Sequence, residues 1–256
     1  MKKFFRWFCL LLLFSSLTGC FAWLRAYQTY LQMHDFDEHF SISSDNQFSV
    51  HFKDPLLYSD DFVSLSKLQA SEKTLYSSGK KWRYIFRKMD KDGHLIKPEV
   101  NFYFDLYFDN NNLLTEWVFS PLFLEIAPAE FLEVSLRSLA DAEINTGEKQ
   151  LRTNFDYIEK TSAKLPQKAQ VLRKLGKPLK IKSKKTEEKY YYHFQLDTAE
   201  VEKGYEDRKL SVIKLTFDKA SSQLLKMAGR FAGLKISIDY RKYQGDDMQS
   251  LVKLSE

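Results

Sequence analysis

The sequence predicts an α+β protein: two similar units of helices packed on small antiparallel sheets, following an N-terminal helix. Three observations predict it. Apolar and aromatic residues recur at helical spacing just past residue 20. "NFYFDLYF" (101–108) alternates Phe102, Phe104, Leu106 and Phe108 with Tyr103, Asp105 and Tyr107, the period-2 pattern of a strand with one apolar face. A helix, an aromatic strand, a Phe-Asp turn and a Leu-Leu strand then occur twice, with equivalent points about 108 residues apart.

Taken in order, the chain opens on Lys2, Lys3 and Arg6, continues through the apolar run Trp7–Phe14, and reaches the mostly small residues 15–19. The apolar run is too short to span a bilayer, which takes about 20 such residues, so 1–19 reads as a secretory signal peptide. Leu17-Thr18-Gly19-Cys20 resembles the bacterial lipobox. That resemblance implies a diacylglycerol on the Cys20 thiol, cleavage before Cys20 and acylation of the new amine. The competing reading is an uncleaved anchor helix that happens to hold a cysteine.

Cleavage leaves 237 residues, 256 less the 19 of the leader, and lowers the formal charge from +5 to +2. Cys9 departs with the leader and Cys20 is consumed by lipid, so no thiol remains for disulfides, thiol catalysis or zinc. The residual charge gives no reason to invoke nucleic acid. Phe21, rather than an Asp, follows Cys20, which in a Gram-negative host favours the periplasmic face of the outer membrane.

Residues 20–39 read as a helix beside the lipid anchor, with Trp23, Tyr27, Tyr30, Leu31 and His34 near one stripe. Aromatics there fit either the membrane interface or the domain. Packing on the domain is the preferred reading, because the Tyr27–Leu31 stripe runs past the reach of the membrane. The first unit follows over 40–146 and the second over 147–243, with a polar tail at 244–256. "SLSKLQASEKTLYSSGKKWRYIF" matches "VLRKLGKPLKIKSKKTEEKYYYHF", and "FYFDLYFDNNNLL" matches "LSVIKLTFDKASSQLL". Leu68 to Leu175 is 107 residues, Phe86 to Phe194 is 108, Phe108 to Phe217 is 109 and Leu113 to Leu224 is 111. Between the units, Pro128 opens a predicted helix through about Ile144, striped by Phe131, Leu132, Leu136 and Leu139.

In the second unit, Gly176 suits the left-handed position after a helix and Pro178 blocks continuation. A helix ending Leu-Gly-x-Pro, an aromatic strand, "LTFD", a turn and Leu-Leu is similar to the SmpA/OmlA family. The likeness covers about 166–230 and more weakly 62–120. It implies two helices on a three-stranded antiparallel sheet, a fold group related to β-lactamase-inhibitor protein, and a role beside the outer-membrane assembly machinery (BamE-like). The family's Gly-Met-(Thr/Ser) entry is replaced here by Lys164-Leu165-Pro166-Gln167, so no functional residue is carried over.

Motifs for catalysis are missing: there is no G-x-S-x-G, S-x-x-K, P-loop or dinucleotide fingerprint. His34, Asp35, Asp37, Glu38 and His39 lie within six residues, and a solvated helix end explains them better than a metal. Asp109-Asn110-Asn111-Asn112 lacks the glycine and distal glutamate of a calcium loop and reads as a turn. "KYYYHF" sets Tyr190, Tyr192 and Phe194 on one strand face, either exposed for a partner or buried. Lys174, Lys177, Lys180, Lys182, Lys184 and Lys185 form a basic patch for an anionic surface, or a lysine-protected sheet edge.

The sequence therefore predicts an outer-membrane lipoprotein without cofactor or metal. Its periplasmic domain is expected to be a non-enzymatic interaction or scaffolding module for an envelope protein. A lipid or lipoprotein carrier with an apolar cavity is the first alternative, and an enzyme with a dispersed site the second.

Overall fold

One continuous antiparallel sheet, curled into a half-barrel, dominates the chain and replaces the expected α+β class. The computed structural model describes residues 18–44, 47–139, 142–145, 150–153, 160–198, 200–232 and 234–244. The expected signal peptide, up to residue 17, and the tail after Gln244 lie outside them. The helices are α1 (Thr18–Gln32), α2 (Phe36–His39), α3 (Ser59–Ser66), α4 (Pro121–Leu124), α5 (Ala129–Arg137) and α6 (Lys168–Leu175). In the first half the strands are β1 (Phe40–Ser43), β2 (Phe48–Phe52), β3 (Glu72–Tyr76), β4 (Gly79–Met89), β5 (Asn101–Phe108) and β6 (Leu114–Phe119). A small hairpin, β7 (Ala142–Asn145) with β8 (Gln150–Thr153), stands apart. The second half supplies β9 (Lys180–Ser183), β10 (Glu187–Leu196), β11 (Leu210–Asp218), β12 (Leu224–Phe231) and β13 (Leu234–Asp239).

The sheet runs β1-β2-β6-β5-β4-β10-β11-β12-β13, with β3 also on β4 and β9 also on β10. The period-2 strands form where the alternation places them. What the alternation does not encode is that β4 and β10 hydrogen-bond to each other, from Phe86↔Leu196 to Met89↔His193. That pairing merges two would-be small sheets into eleven strands, and it satisfies backbone groups that separate sheets would leave as open edges.

The two halves are related by a local two-fold through this seam. Arg87 pairs Gln195, residues 108 apart. Glu72↔Arg83 in one hairpin corresponds to Lys180↔Tyr191 in the other, again displaced by 108. Ladder irregularities fall at Tyr107/Phe108 and at Thr216/Phe217. Asn112 and Ser222 both take positive φ, as do Lys67 and Gly176 after α3 and α6. The geometry sets Leu224 opposite Phe217 as Leu114 sits opposite Phe108, so Leu114, rather than Leu113, is its counterpart. Ser66 rather than Leu68 likewise corresponds to Leu175, each ending its helix.

The concave face carries the core. Phe102 lies 5.0 Å from Phe86, 4.9 Å from Phe194 and 5.6 Å from Phe231, centroid to centroid. A Cβ on Gly229 would meet the Phe231 ring at 2.7 Å, so the glycine lets that ring fold back across its strand. Between the halves, α4 and α5 drop Phe123, Ile126, Ala127 and Phe131 into this face, and the buried Tyr240 hydroxyl donates to the Ile126 carbonyl. The helix expected to reach Ile144 stops at Arg137, because Ala142–Asn145 pair with Gln150–Thr153 instead. Tyr190, Tyr192 and Phe194 are buried, so their shared strand face belongs to the core.

Truncating Phe102 removes contacts to both halves. Phe102→Ala is expected to cost about 3–5 kcal/mol, read as a lower urea midpoint. Burial raises the phenol pKa values of Tyr84, Tyr192 and Tyr240. Unfolded phenols ionise near pH 10 while these stay protonated in the fold, so stability is retained below about pH 10 and lost as pH rises above it. Ultraviolet titration of the native protein should leave about three phenols un-ionised until it unfolds, in line with that shift.

Candidate functional site

His39 Nδ1 lies 3.0 Å from Asp54 Oδ2, while Asp37 pairs with Arg137 at 2.9 Å and its carbonyl accepts from Lys53. The His34–His39 cluster is thus spread over several ion pairs. Among the described residues no three His, Cys, Asp or Glu side chains converge as a metal site requires. Asp109 Oδ1 accepts from the amides of Asn111 and Leu113, which makes 109–112 a self-capped turn.

Lys88 is a buried amine that sequence patterning missed, because it occupies an inward position of an otherwise aromatic strand. Its ammonium donates to the carbonyls of Leu175 and Lys177 and sits 5.1 Å from the Tyr192 ring centroid. Burial lowers its pKa. Both acceptors lie at the C-terminal end of α6, where a cation satisfies orphan carbonyls and complements the helix dipole. That geometry makes Lys88 a cap for the helix that the second half packs on its sheet.

The predicted basic patch divides. Lys174 is paired with Glu125 at 3.2 Å on α6, and Lys177 follows the helix. Lys180 and Lys182 stand on the fully exposed edge strand β9, with Lys184 and Lys185 in the turn beyond. Lys182 faces Lys189 across the ladder, and Lys180 faces Tyr191, which faces Lys214. Register thus keeps Lys189, the end of the same basic stretch, on this outer face and adds Lys214 to it. Lys214 escaped the sequence reading because it lies on another strand, far along the chain. A cleft of about 510 Å³ lies nearby, walled by Leu124, Glu125, Pro128, Leu165, Gln170 and Gln223. Its one carboxylate is held by Lys174 and Gln170, and Lys164 is the other ionisable side chain on its wall.

The most unusual surface belongs to α1. The helix faces the domain with Ala22, Arg25 and Thr29. Arg25 grips Asp61 of α3 through two hydrogen bonds, Nε to Oδ2 at 2.7 Å and a second from Nη2 to Oδ1. Asp61, 2% exposed, also accepts from the Tyr58 amide and closes the capping box of α3. This bidentate contact raises the Arg25 pKa. Thr29 Oγ1 donates to the Arg25 carbonyl, and Gln32 donates to the Asp54 carbonyl.

The outward residues are the large apolar ones: Phe21, Trp23, Leu24, Tyr27 and Leu31 are 41–52% exposed. Packing of that stripe on the domain, the reading preferred from sequence, is therefore overturned. The reason is steric and electrostatic: Ala22 and Thr29 allow close approach to α3, and Arg25 must face Asp61. No helix among the described residues is long and apolar enough to cross a membrane. Cys20 occupies the third position of α1.

No family model, curated protein or solved structure matches the chain.

Arg25→Ala would leave the Asp61 carboxylate buried without its cation. We expect about 2–3 kcal/mol of destabilisation, below the range for fully buried pairs because Arg25 keeps partial solvent access. Hydrogen exchange should show the loss concentrated in α1 and the first turn of α3.

Proposed function

We propose that the chain is a bacterial envelope lipoprotein, acylated at Cys20, whose sheet domain is a non-enzymatic interaction or scaffolding module for envelope assembly or maintenance. The observation that carries this reading is α1. A helix that begins where the signal-like leader ends turns its large apolar side chains outward and Ala22, Arg25 and Thr29 toward the domain. Such an inversion costs free energy in water and is accounted for if the helix works beside lipid. Phe21 behind Cys20 supports the periplasmic side of the outer membrane.

The filled concave face favours this reading over a carrier. Rings from both halves and from the α4–α5 connection occupy the space that a lipid-binding cavity would need. His51 Nε2 lies 3.2 Å from Ser49 Oγ and 3.7 Å from Glu116 Oε1, but both partners meet the same ring nitrogen, so the carboxylate does not orient the imidazole toward the serine and this cluster lends an enzyme reading no support.

In a bacterial host the wild-type chain should incorporate labelled palmitate and resist extraction from membranes by alkaline carbonate. Cys20→Ser should take up no label and be extracted, since it is two or more acyl chains that hold a protein stably on a membrane. Unchanged labelling in Cys20→Ser overturns the assignment. Crosslinking in the native envelope tests the module: capture of a defined envelope protein supports scaffolding, and co-purifying lipid without a protein partner overturns it.

A further inference from the structure

We propose that the outward face of α1 lies in the headgroup layer of a phospholipid bilayer, so that the domain docks sideways on the membrane through a helix rather than hanging from its anchor. The proposal rests on the membrane attachment argued above and adds an orientation and a contact surface to it.

Helical periodicity carries the first step. Position 20 is followed at four, seven and eleven residues by Leu24, Tyr27 and Leu31, all on one face, with Phe21 and Trp23 on its flanks. These five side chains are the exposed apolar residues of the helix, and the opposite side is committed to α3 through Ala22, Arg25 and Thr29. The position that the lipobox marks for acylation therefore heads the stripe that the domain leaves uncovered.

Distance decides the orientation. At 1.5 Å per residue, Leu31 lies about 16 Å along the axis from position 20. Were α1 to stand along the membrane normal, Tyr27 and Leu31 would be held in water beyond the roughly 5–10 Å depth that interfacial helices occupy. Lying flat, the helix brings the whole stripe to one depth. Trp and Tyr suit that layer because an apolar ring and a polar edge are both accommodated there. The occupant is fixed by what precedes the helix: the apolar run Trp7–Phe14 and Cys20 direct this end of the chain to lipid, whether the leader is removed or retained. Cys20 lies within α1 itself, so no linker stands between the acylation position and the stripe.

Trp23 reports the contact, because Trp82 is buried and Trp117 packs against the core. The full chain, in a Trp7→Phe background, is purified and reconstituted in phosphatidylethanolamine–phosphatidylglycerol vesicles with or without brominated acyl chains. We expect brominated lipid to quench the tryptophan emission and Trp23→Phe to abolish the quenched component. Leu24→Glu/Leu31→Glu should remove the quenching while palmitate labelling and the circular-dichroism melt stay unchanged. Acylated protein without quenching, or quenching that survives Trp23→Phe, overturns the docking. A wild-type dimer in sedimentation that Leu24→Glu/Leu31→Glu converts to a monomer assigns the face to a second copy and also overturns it. Where mass spectrometry finds no acyl chain, the lipoprotein reading fails by itself, and quenching of the unmodified chain still decides the docking.

Discussion

The ladder between β4 and β10, and the phenylalanines stacked over it, is the constraint on which the rest of the molecule depends. Phe86 and Phe194 are related by the local two-fold, and Phe102 contacts both rings. Antiparallel pairing at this seam fixes register for both halves, since a one-residue slip on either strand would turn an inward aromatic row outward. Each half alone would expose the edge of its longest strand together with half of the aromatic cluster. The connection through α4 and α5 then has a defined role: it supplies Phe123 and Phe131 to a face that the two halves leave incompletely covered.

With the sheet fixed, the exterior differentiates by what each half must cover. In the second half, α6 seats Val171 and Leu175 on the core and its C-terminal carbonyls are met by Lys88 from the first half. In the first half, α3 occupies the equivalent place and is itself covered by α1 through the Arg25–Asp61 contact. Among the described residues only the first half has such a second layer, and it bears the apolar outer face. The asymmetry between the similar halves therefore lies in α1, the layer that carries the exposed apolar side chains. The lysines of β9, by contrast, project from the sheet opposite the phenylalanine face, where a row of cations protects an edge strand from mispairing.

Particular residues show how far the sequence could be read. Alternation in 101–108 located β5 and its buried face, and the near-constant spacing of Phe86/Phe194 and Phe108/Phe217 located corresponding positions on equivalent strands. The SmpA/OmlA likeness, with helices over a three-stranded sheet, did not lead to the right architecture. It reads local order along the chain, and the β4–β10 pairing that makes one sheet is a contact between distant segments with no local signature. The leucines of 132–139 misled for a related reason: helical spacing is satisfied by residues that stop at Arg137, and the strand at Ala142–Asn145 depends on a partner. Lys88 could not be found because its acceptors are backbone carbonyls, which carry no residue identity.

The candidate site divides the same way. The sequence by itself determined the leader-like pattern before Cys20, the lack of catalytic motifs and the helix that follows, because each is a local pattern of charge, size and periodicity. Only the tertiary structure decided which face of that helix is free. Asp61 lies 36 residues from Arg25, and its buried carboxylate draws the polar side of α1 inward. The aromatic stripe, which the sequence reading placed on the domain, is thereby turned out.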